Sequence, residues 1–304
     1  MSRTRRVLLS VAVALALTVL AAVAFPIATL NLLRRVVLVG TGTEHGTVTV
    51  DGETLAWTAV GRGRPLLLQH GLRGESTVML PLARALAGRG YRVLMFDLPG
   101  HGLSPKPLHE MTIGNAGKLV LDAAEALRFP RRPAIVGHSL GGWIMAWQAL
   151  ESPERCGPVT LISSPGYRFQ PPPYPVLLPT TVSDARRSLP AMFAHPPYAP
   201  APILWFAVRR DPATAIVMLR SALSGEYLLD NLLGSVDLPV QIVFGAEDRL
   251  IPPAVGRAMA ADLPGHRYVE IADAGHLVVW EKPEETAAAI DRFLNEVGEP
   301  AAVN

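Results

Sequence analysis

The stretch Gly137-His138-Ser139-Leu140-Gly141, followed at once by Gly142, lies between two apolar segments. Residues 133–136 have the composition of a buried β-strand, and residues 143–150 are compatible with an apolar helix. A strand, a sharp turn and a helix in this order expose the serine hydroxyl, and the glycines leave room where a Cβ atom would clash. The pattern predicts that Ser139 is a nucleophile; in the alternative interpretation, Ser139 only caps the helix.

The composition is that of a folded domain with an added apolar segment. Of 304 residues, 49% are hydrophobic and 18% are charged, which suits one large α/β domain with an insertion. The formal net charge is only +2 and the arginines are dispersed, so no nucleic-acid partner is predicted. Cys156 is the only cysteine, which excludes an intramolecular disulfide. The histidines and carboxylates lack metal-ligand spacing, so neither a metal nor a cofactor is predicted.

The first 35 residues have the features of a targeting segment. Three arginines among the first six residues precede a run without charge, residues 7–33, which is long enough to cross a bilayer. We predict a membrane anchor over residues 1–35, with the folded domain outside the cytoplasm. The alternative is a signal peptide that is cut after Ala22-Val23-Ala24, with secretion of the mature protein.

Residues 36–42 look like a strand that enters a dinucleotide-binding turn. The third glycine is misplaced, however, and residues 47–50 have the β-branched alternation of a strand where a pyrophosphate site needs a helix. No nucleotide site is therefore predicted. The folded domain begins at Thr47, where residues 47–50 and 54–60 are predicted to form an antiparallel hairpin.

Short apolar runs then alternate with segments compatible with helices, which predicts a mostly parallel central sheet with helices on both faces. The predicted strands after the hairpin are residues 65–69, 91–96, 133–136, 159–164, 239–245 and 268–271, and helices are predicted at residues 77–87 and 112–127.

Residues 167–235 interrupt this alternation. The segment is too long for a structureless connection, and apolar residues such as Trp205 and Phe206 argue against a disordered linker. Helices are predicted at residues 214–223 and 226–233. We predict an inserted helical lid over the edge of the sheet.

An acid and a histidine follow this insertion at the ends of two predicted strands. Asp248, next to a second acid at Glu247, follows the strand that ends at Gly245, and His276 follows the last strand. The carboxyl ends of parallel strands share one edge of a sheet, so both side chains can converge on Ser139. The order serine, acid, histidine is the one used with this type of turn.

Together these segments resemble the alpha/beta-hydrolase superfamily from residue 47 to residue 294. The resemblance implies that residues 47–166 and 236–298 form the hydrolase core. The resemblance rests on His70-Gly71, residues 97–102, residues 137–142, Asp248 after its strand and Ala274-Gly275-His276.

The resemblance also implies roles for individual residues. Ser139 would be the nucleophile, His276 the general base and acid, and Asp248, rather than Glu247, the residue that orients the imidazole. The backbone amides of Leu72 and Leu140 would form an oxyanion hole.

The activity that the resemblance implies is hydrolysis of a small carboxylic ester through an acyl-enzyme. An apolar lid close to a membrane segment favours lipophilic acyl groups. Other serine-dependent activities of this superfamily stay open, namely those of thioesterases, lactonases, carbon–carbon bond hydrolases, cofactor-free haloperoxidases and acyltransferases. A binding protein that has lost catalysis is the alternative from a different class.

Overall fold

The computed structural model describes residues 5, 20, 22–209, 212–263, 265 and 267–298. In this part of the chain, eight strands form one sheet with the order β1-β2-β4-β3-β5-β6-β7-β8. The strands are β1 (Glu44–Val50), β2 (Glu53–Val60), β3 (Arg64–Gln69), β4 (Tyr91–Phe96), β5 (Ala134–His138), β6 (Val159–Ile162), β7 (Val240–Gly245) and β8 (Tyr268–Ile271).

The pairings of β1 with β2 and of β2 with β4 are antiparallel, and all other pairings in this sheet are parallel. The predicted mostly parallel sheet is thus confirmed. The hairpin between β1 and β2 turns through Asp51 and Gly52, whose φ angles of 52° and 82° are those of a two-residue turn matched to the strand twist. Strand β1 begins at Glu44, three residues before the predicted start.

Helices cover both faces of the sheet. They are α1 (Pro26–Gly40), α2 (Ser76–Ala87), α3 (Ile113–Ala126), α4 (Leu140–Glu151), α5 (Tyr174–Leu177), α6 (Val182–Met192), α7 (Ala201–Val208), α8 (Ala213–Leu223), α9 (Pro253–Ala261), α10 (Val278–Glu281) and α11 (Pro283–Val297). Side chains in the strands alternate between the two faces: Leu67 belongs to the core layer that contains residues of α3, α4 and α9, whereas Leu66 and Leu68 belong to the layer that contains residues of α2, α10 and α11.

The order of strands reverses at β3, because the chain adds β4 on one side of β3 and β5 on the other. Crevices at such a switch point, outside the carboxyl ends of the strands, are where open α/β sheets bind ligands. Strand β3 leads into His70-Gly71-Leu72, and β5 leads into Ser139. The two loops that the sequence singled out are therefore neighbours at this point.

The strand-like interpretation of residues 36–39 is wrong, because these residues form the end of helix α1. The side chain of Leu38 is buried against α2, and its carbonyl oxygen accepts hydrogen bonds from the hydroxyl groups of Thr41 and Thr43. Tertiary packing here outweighs the preference of valine for strands.

The predicted anchor lies largely outside the described residues, since residues 1–4, 6–19 and 21 of it are not among them. Helix α1 has 15 residues. In the described ranges of the chain, no helix combines the length and the apolar composition needed to cross a bilayer.

Residues 167–235 contain helices α5 to α8 between β6 and β7. We refer to this segment as the insertion. The helix predicted at residues 214–223 is confirmed as α8, but the one predicted at residues 226–233 is wrong. Backbone groups there bond to the core instead: the amide of Leu229 donates to the carbonyl oxygen of Gly166, and the carbonyl oxygen of Tyr227 accepts from the indole of Trp143.

Candidate active site

Ser139 lies between the end of β5 and the first residue of α4. Its φ and ψ angles are 54° and −127°, which is a sparsely populated region for a residue with a side chain. The amide of Ser139 donates to the carbonyl oxygen of Ile162, and its carbonyl oxygen accepts from the amide of Gly142. A Cβ atom on Gly141 would lie 2.4 Å from the carbonyl oxygen of His70, so the turn requires glycine there.

Asp248 and His276 meet in the interior of the protein. The Nδ1 atom of His276 lies 2.9 Å from Oδ2 of Asp248, and the two residues are only 3% and 4% exposed, respectively. The second carboxylate oxygen, Oδ1, accepts hydrogen bonds from the amides of Leu250 and Ile251, each 2.9 Å long. The acid is held by its own loop and leaves Oδ2 for the imidazole.

Glu247, the neighbouring acid, points elsewhere. Its carboxylate is partly exposed and forms an ion pair with Arg249 at 3.1 Å. The structure therefore brings Asp248, and not Glu247, to His276.

Ser139 and His276 line the same cavity at the carboxyl edge of the sheet. Within the described residues, no hydrogen bond joins the serine hydroxyl to the imidazole. Such bonds are often long in enzymes without substrate and shorten when the reacting complex forms. Ser139 and His276 thus face the same cavity, and Asp248 fixes the imidazole of His276.

The amides of Leu72 and Leu140 belong to residues that also line this cavity. Gly71 brings the loop after β3 so close to the nucleophile turn that a Cβ atom on it would lie 2.8 Å from Cβ of Ser139. In the part of the chain that the structure describes, neither amide has a hydrogen-bond acceptor. Both donors are thus available for a ligand oxygen.

His70 is fixed as one tautomer by its backbone partners. Its Nε2 atom accepts a hydrogen bond from the amide of Leu98 at 3.0 Å, so this nitrogen carries no proton. Nδ1 lies 2.7 Å from the carbonyl oxygen of Gly71 and therefore donates to it. The ring ties the loop after β3 to the loop after β4.

His138 supports the loop that carries His276. Its Nε2 atom lies 2.8 Å from the carbonyl oxygen of His276, and the two imidazole rings are 4.9 Å apart at their centroids. Burial, together with the nearby ring of His276, lowers the pKa of His138 to about 3. The ring is neutral at physiological pH and donates to the backbone, so it orients His276 and takes no proton.

Asp97 forms the turn after β4. Oδ1 accepts from the amide and the hydroxyl of Ser76, at 2.7 and 2.6 Å, and Oδ2 accepts from the amide of Leu103 at 2.8 Å. Burial is the main cause that raises the pKa of Asp97 above its usual range. These contacts give Asp97 the turn-forming role that its position in the sequence indicates.

Glu281, which the sequence analysis did not single out, joins the His276 loop to the insertion. Oε2 accepts from the amide of Gly275 at 2.8 Å, and Oε1 accepts from the amides of Ala194 and His195 at 3.0 and 3.2 Å. On the other side of His276, the amide of Leu277 donates to the carbonyl oxygen of Met192. The position of Glu281 five residues after His276 is the only signal that the sequence offers.

The cavity shared by Ser139 and His276 has a volume of about 340 Å³. Its wall is mostly apolar, and the insertion supplies much of it through Val176, Leu189, Leu204, Leu219 and Ala222. Volumes of this order are typical of sites for small molecules. The insertion therefore contributes much of the apolar wall of the cavity that Ser139 lines.

A larger groove, of about 630 Å³, is lined by Arg64, Phe129, Arg131 and Arg155. None of the predicted site residues lines it. Among the described residues, no group of three or more histidine, cysteine, aspartate or glutamate side chains is arranged to hold a metal ion.

Comparisons with known proteins agree with this architecture. A poly(3-hydroxyalkanoate) depolymerase from Ectopseudomonas oleovorans is 26% identical over 275 residues, which cover 85% of this chain and 95% of the relative. Lipase 1 from Psychrobacter immobilis is 25% identical over 255 residues, or 78% of this chain and 79% of the relative. The crystal structure of a bacterial membrane phospholipase A superimposes with a TM-score of 0.78 at 28% identity, covering 96% of this chain and 99% of that one.

The family profile gives the most direct assignment. The profile of the alpha/beta hydrolase family matches residues 66–289, which run from β3 through the insertion to α11. This span includes the serine turn, the buried acid and the histidine loop. The chain belongs to the alpha/beta hydrolase family.

Proposed function

We propose that the protein hydrolyses carboxylic esters with lipophilic acyl groups, through an acyl-enzyme on Ser139. The observation that carries the proposal is the buried Asp248–His276 pair in the wall of the apolar cavity that also contains the serine. Relatives named as a lipase, a depolymerase and a phospholipase A support an activity of this class.

In this mechanism the Ser139 hydroxyl attacks the carbonyl carbon of the ester. His276 takes the hydroxyl proton on Nε2 and passes it to the oxygen of the leaving alcohol. Asp248 accepts the hydrogen bond of Nδ1, which fixes the tautomer and stabilises the imidazolium. A water molecule then attacks the acyl-enzyme with the same histidine as base, and the carboxylic acid leaves.

The amides of Leu72 and Leu140 would stabilise the negative charge on the carbonyl oxygen in both steps. Loss of one such donor typically costs ~2.7–4 kcal/mol of transition-state stabilisation. Gly71 supports this assignment, because it allows the loop of Leu72 to approach the serine closely.

The lining of the cavity supports a lipophilic acyl group. Leucine, valine and alanine side chains from the insertion face this space, and each buried methylene of a substrate contributes ~0.8 kcal/mol. We propose that residues 167–235 act as a lid on this acyl site.

We also propose that the N-terminal segment holds the enzyme at a membrane. Residues 7–33 carry no charge, and α1 exposes apolar side chains, among them Leu32, Leu33, Val36 and Val39. The similarity to a membrane phospholipase A extends over 96% of the chain.

The test is labelling of the full-length protein with a fluorophosphonate, which reacts with activated serines. We expect Ser139→Ala to lose the label and to lower kcat for an aryl ester by ~10⁴-fold or more. The matched control is Ser188→Ala, because Ser188 lines the same cavity but donates its hydroxyl to a carbonyl oxygen of the insertion. This variant should keep both label and activity.

Labelling that persists in Ser139→Ala would contradict the proposal, as would a wild-type protein that binds esters without cleaving them. Among aryl esters, kcat/KM should rise with acyl length from two carbons until the chain fills the cavity. A preference for the acetyl ester would exclude the lipophilic acyl class and leave the serine mechanism in place.

A further inference from the structure

We propose that Arg34 of helix α1 is a positioning residue for the turn that carries the amide of Leu72. Helix α1 is then a functional part of the hydrolase domain and not only a link to the segment before it. This inference rests on the proposed role of Leu72 in the oxyanion hole.

Arg34 is a buried cation, with 8% of its surface exposed. Its guanidinium forms an ion pair with Glu75 and donates a hydrogen bond of 3.1 Å to the carbonyl oxygen of Gly102. Asn31, one turn earlier on α1, accepts a further bond from it at 2.5 Å. A single side chain of α1 thus contacts the loops that follow both β3 and β4.

The carboxylate of Glu75 is buried near a second acid, so a positive charge close to it is stabilising. Glu75 is 4% exposed, and its charge adds to the raised pKa of Asp97, a buried carboxyl group close by. A buried carboxylate without a partner costs several kcal/mol, whereas one paired with a hydrogen-bonded guanidinium is tolerated. The hydroxyl of Thr77 also donates to the Glu75 carboxylate, at 2.7 Å, but it is neutral, whereas Arg34 supplies a counter-charge.

Glu75 is joined to Leu72 through a tight turn. The amide of Gly74 donates to the carbonyl oxygen of Gly71 at 2.9 Å, and Arg73 between them has a φ of 56°. Glu75 itself is the last residue before α2. Because this turn is short and hydrogen-bonded, we expect a displacement of Glu75 to move the amide of Leu72.

Helix α1 is fixed well enough to act as a support. Leu38 is buried against α2, and the guanidinium of Arg84 on α2 donates to the carbonyl oxygen of Thr41 at 3.0 Å. Helix α1 also contacts α7 of the insertion. Arg34 thus projects from a helix that is packed against α2 and the insertion.

The experiment compares Arg34→Met with Arg35→Met in the full-length protein. Arg35 is the next residue, is exposed on α1 and provides the matched control. We expect Arg34→Met to lower kcat for an aryl ester, and the rate of fluorophosphonate labelling, by ~10-fold or more, with KM changed less than twofold, because the amide acts on the transition state. Arg35→Met should equal the wild type.

The double variant Arg34→Met/Glu75→Gln separates positioning from folding. It removes both charges, so we expect it to regain most of the lost kcat, while Glu75→Gln alone leaves Arg34 without its acid partner. If Arg34→Met does not fold, the double variant carries the test on its own and should be folded and active.

Two outcomes would overturn the inference: an Arg34→Met protein with wild-type kcat, or a double variant no more active than the folded single variant. Failure of the proposed function looks different, since the wild-type protein itself would then not label.

Discussion

Two buried aspartates at the same edge of the sheet have similar surroundings but differ in one hydrogen-bond partner. Asp97 follows β4 and Asp248 follows β7, and both accept two hydrogen bonds from backbone amides. Their exposures are 5% and 4%. They differ in the third donor, which is the hydroxyl of Ser76 for Asp97 and the imidazole of His276 for Asp248.

Burial and position therefore do not by themselves separate the proposed catalytic acid from an acid that forms a turn. Asp97 uses its three bonds to close a turn and to hold the start of α2. Asp248 uses two bonds to fix itself and directs the third at a group that can carry a proton. We infer that the role of each aspartate depends on the group that donates its third hydrogen bond, and not on the carboxylate itself.

The largest effect is expected for Asp248→Asn. The amide can retain the bonds from Leu250 and Ile251 but no longer favours the tautomer with a proton on Nδ1, so kcat should fall by ~10⁴-fold. Steady-state kinetics measure this loss, and Glu247→Gln serves as control with unchanged kcat. Equal losses in the two variants would remove the distinction between the neighbouring acids.

Asp97→Asn should show the opposite pattern. The substitution leaves a buried amide or hydroxyl without its acceptor, which lowers the free energy of unfolding by ~1–3 kcal/mol, while kcat changes less than tenfold. Urea unfolding and kinetics on the same sample give both numbers. A loss of kcat as large as that of Asp248→Asn, at unchanged stability, would contradict a structural role for Asp97 and a catalytic role for Asp248 alone.

His138→Gln tests the support behind the imidazole without changing either acid. The pKa of His138 is about 3 in the folded protein and 6.5 for the free side chain. Its contribution to stability is therefore complete above pH 6.5 and is lost as the pH falls from 6.5 towards 3, because only the unfolded chain takes up the proton.

We expect the difference in free energy of unfolding between the wild type and His138→Gln to shrink by up to ~1.4 kcal/mol per pH unit between pH 6 and pH 4. Urea unfolding at several pH values measures it. A difference that does not depend on pH would show that His138 is already protonated in the folded state.

The sheet and the positions of the site loops could be predicted from the sequence because each depends on local signals. Buried strands are continuous apolar runs, and the turns that follow them are marked by glycine, proline or acids. Topology then places Ser139, Asp248 and His276 at one edge, whatever their separation along the chain.

The insertion and α1 could not be predicted as well, because their structure depends on contacts with the core. Residues 226–233 have the composition of a helix, yet the backbone of Tyr227 and Leu229 is bonded to Trp143 and Gly166. Helix α6 contains Pro190 and still forms. Arg34 and Glu75 are far apart in the sequence, and no spacing rule links them.

The bonds of Glu281 bear on how a substrate can enter. Since Gly275, Ala194 and His195 all donate to the carboxylate of Glu281, the middle of the insertion is tied to the loop of His276. If the insertion acts as the proposed lid, we expect it to open at α7 and α8, which are not part of this set of hydrogen bonds. We infer that substrate entry would then leave the hydrogen bonds that fix the loop of His276 in place.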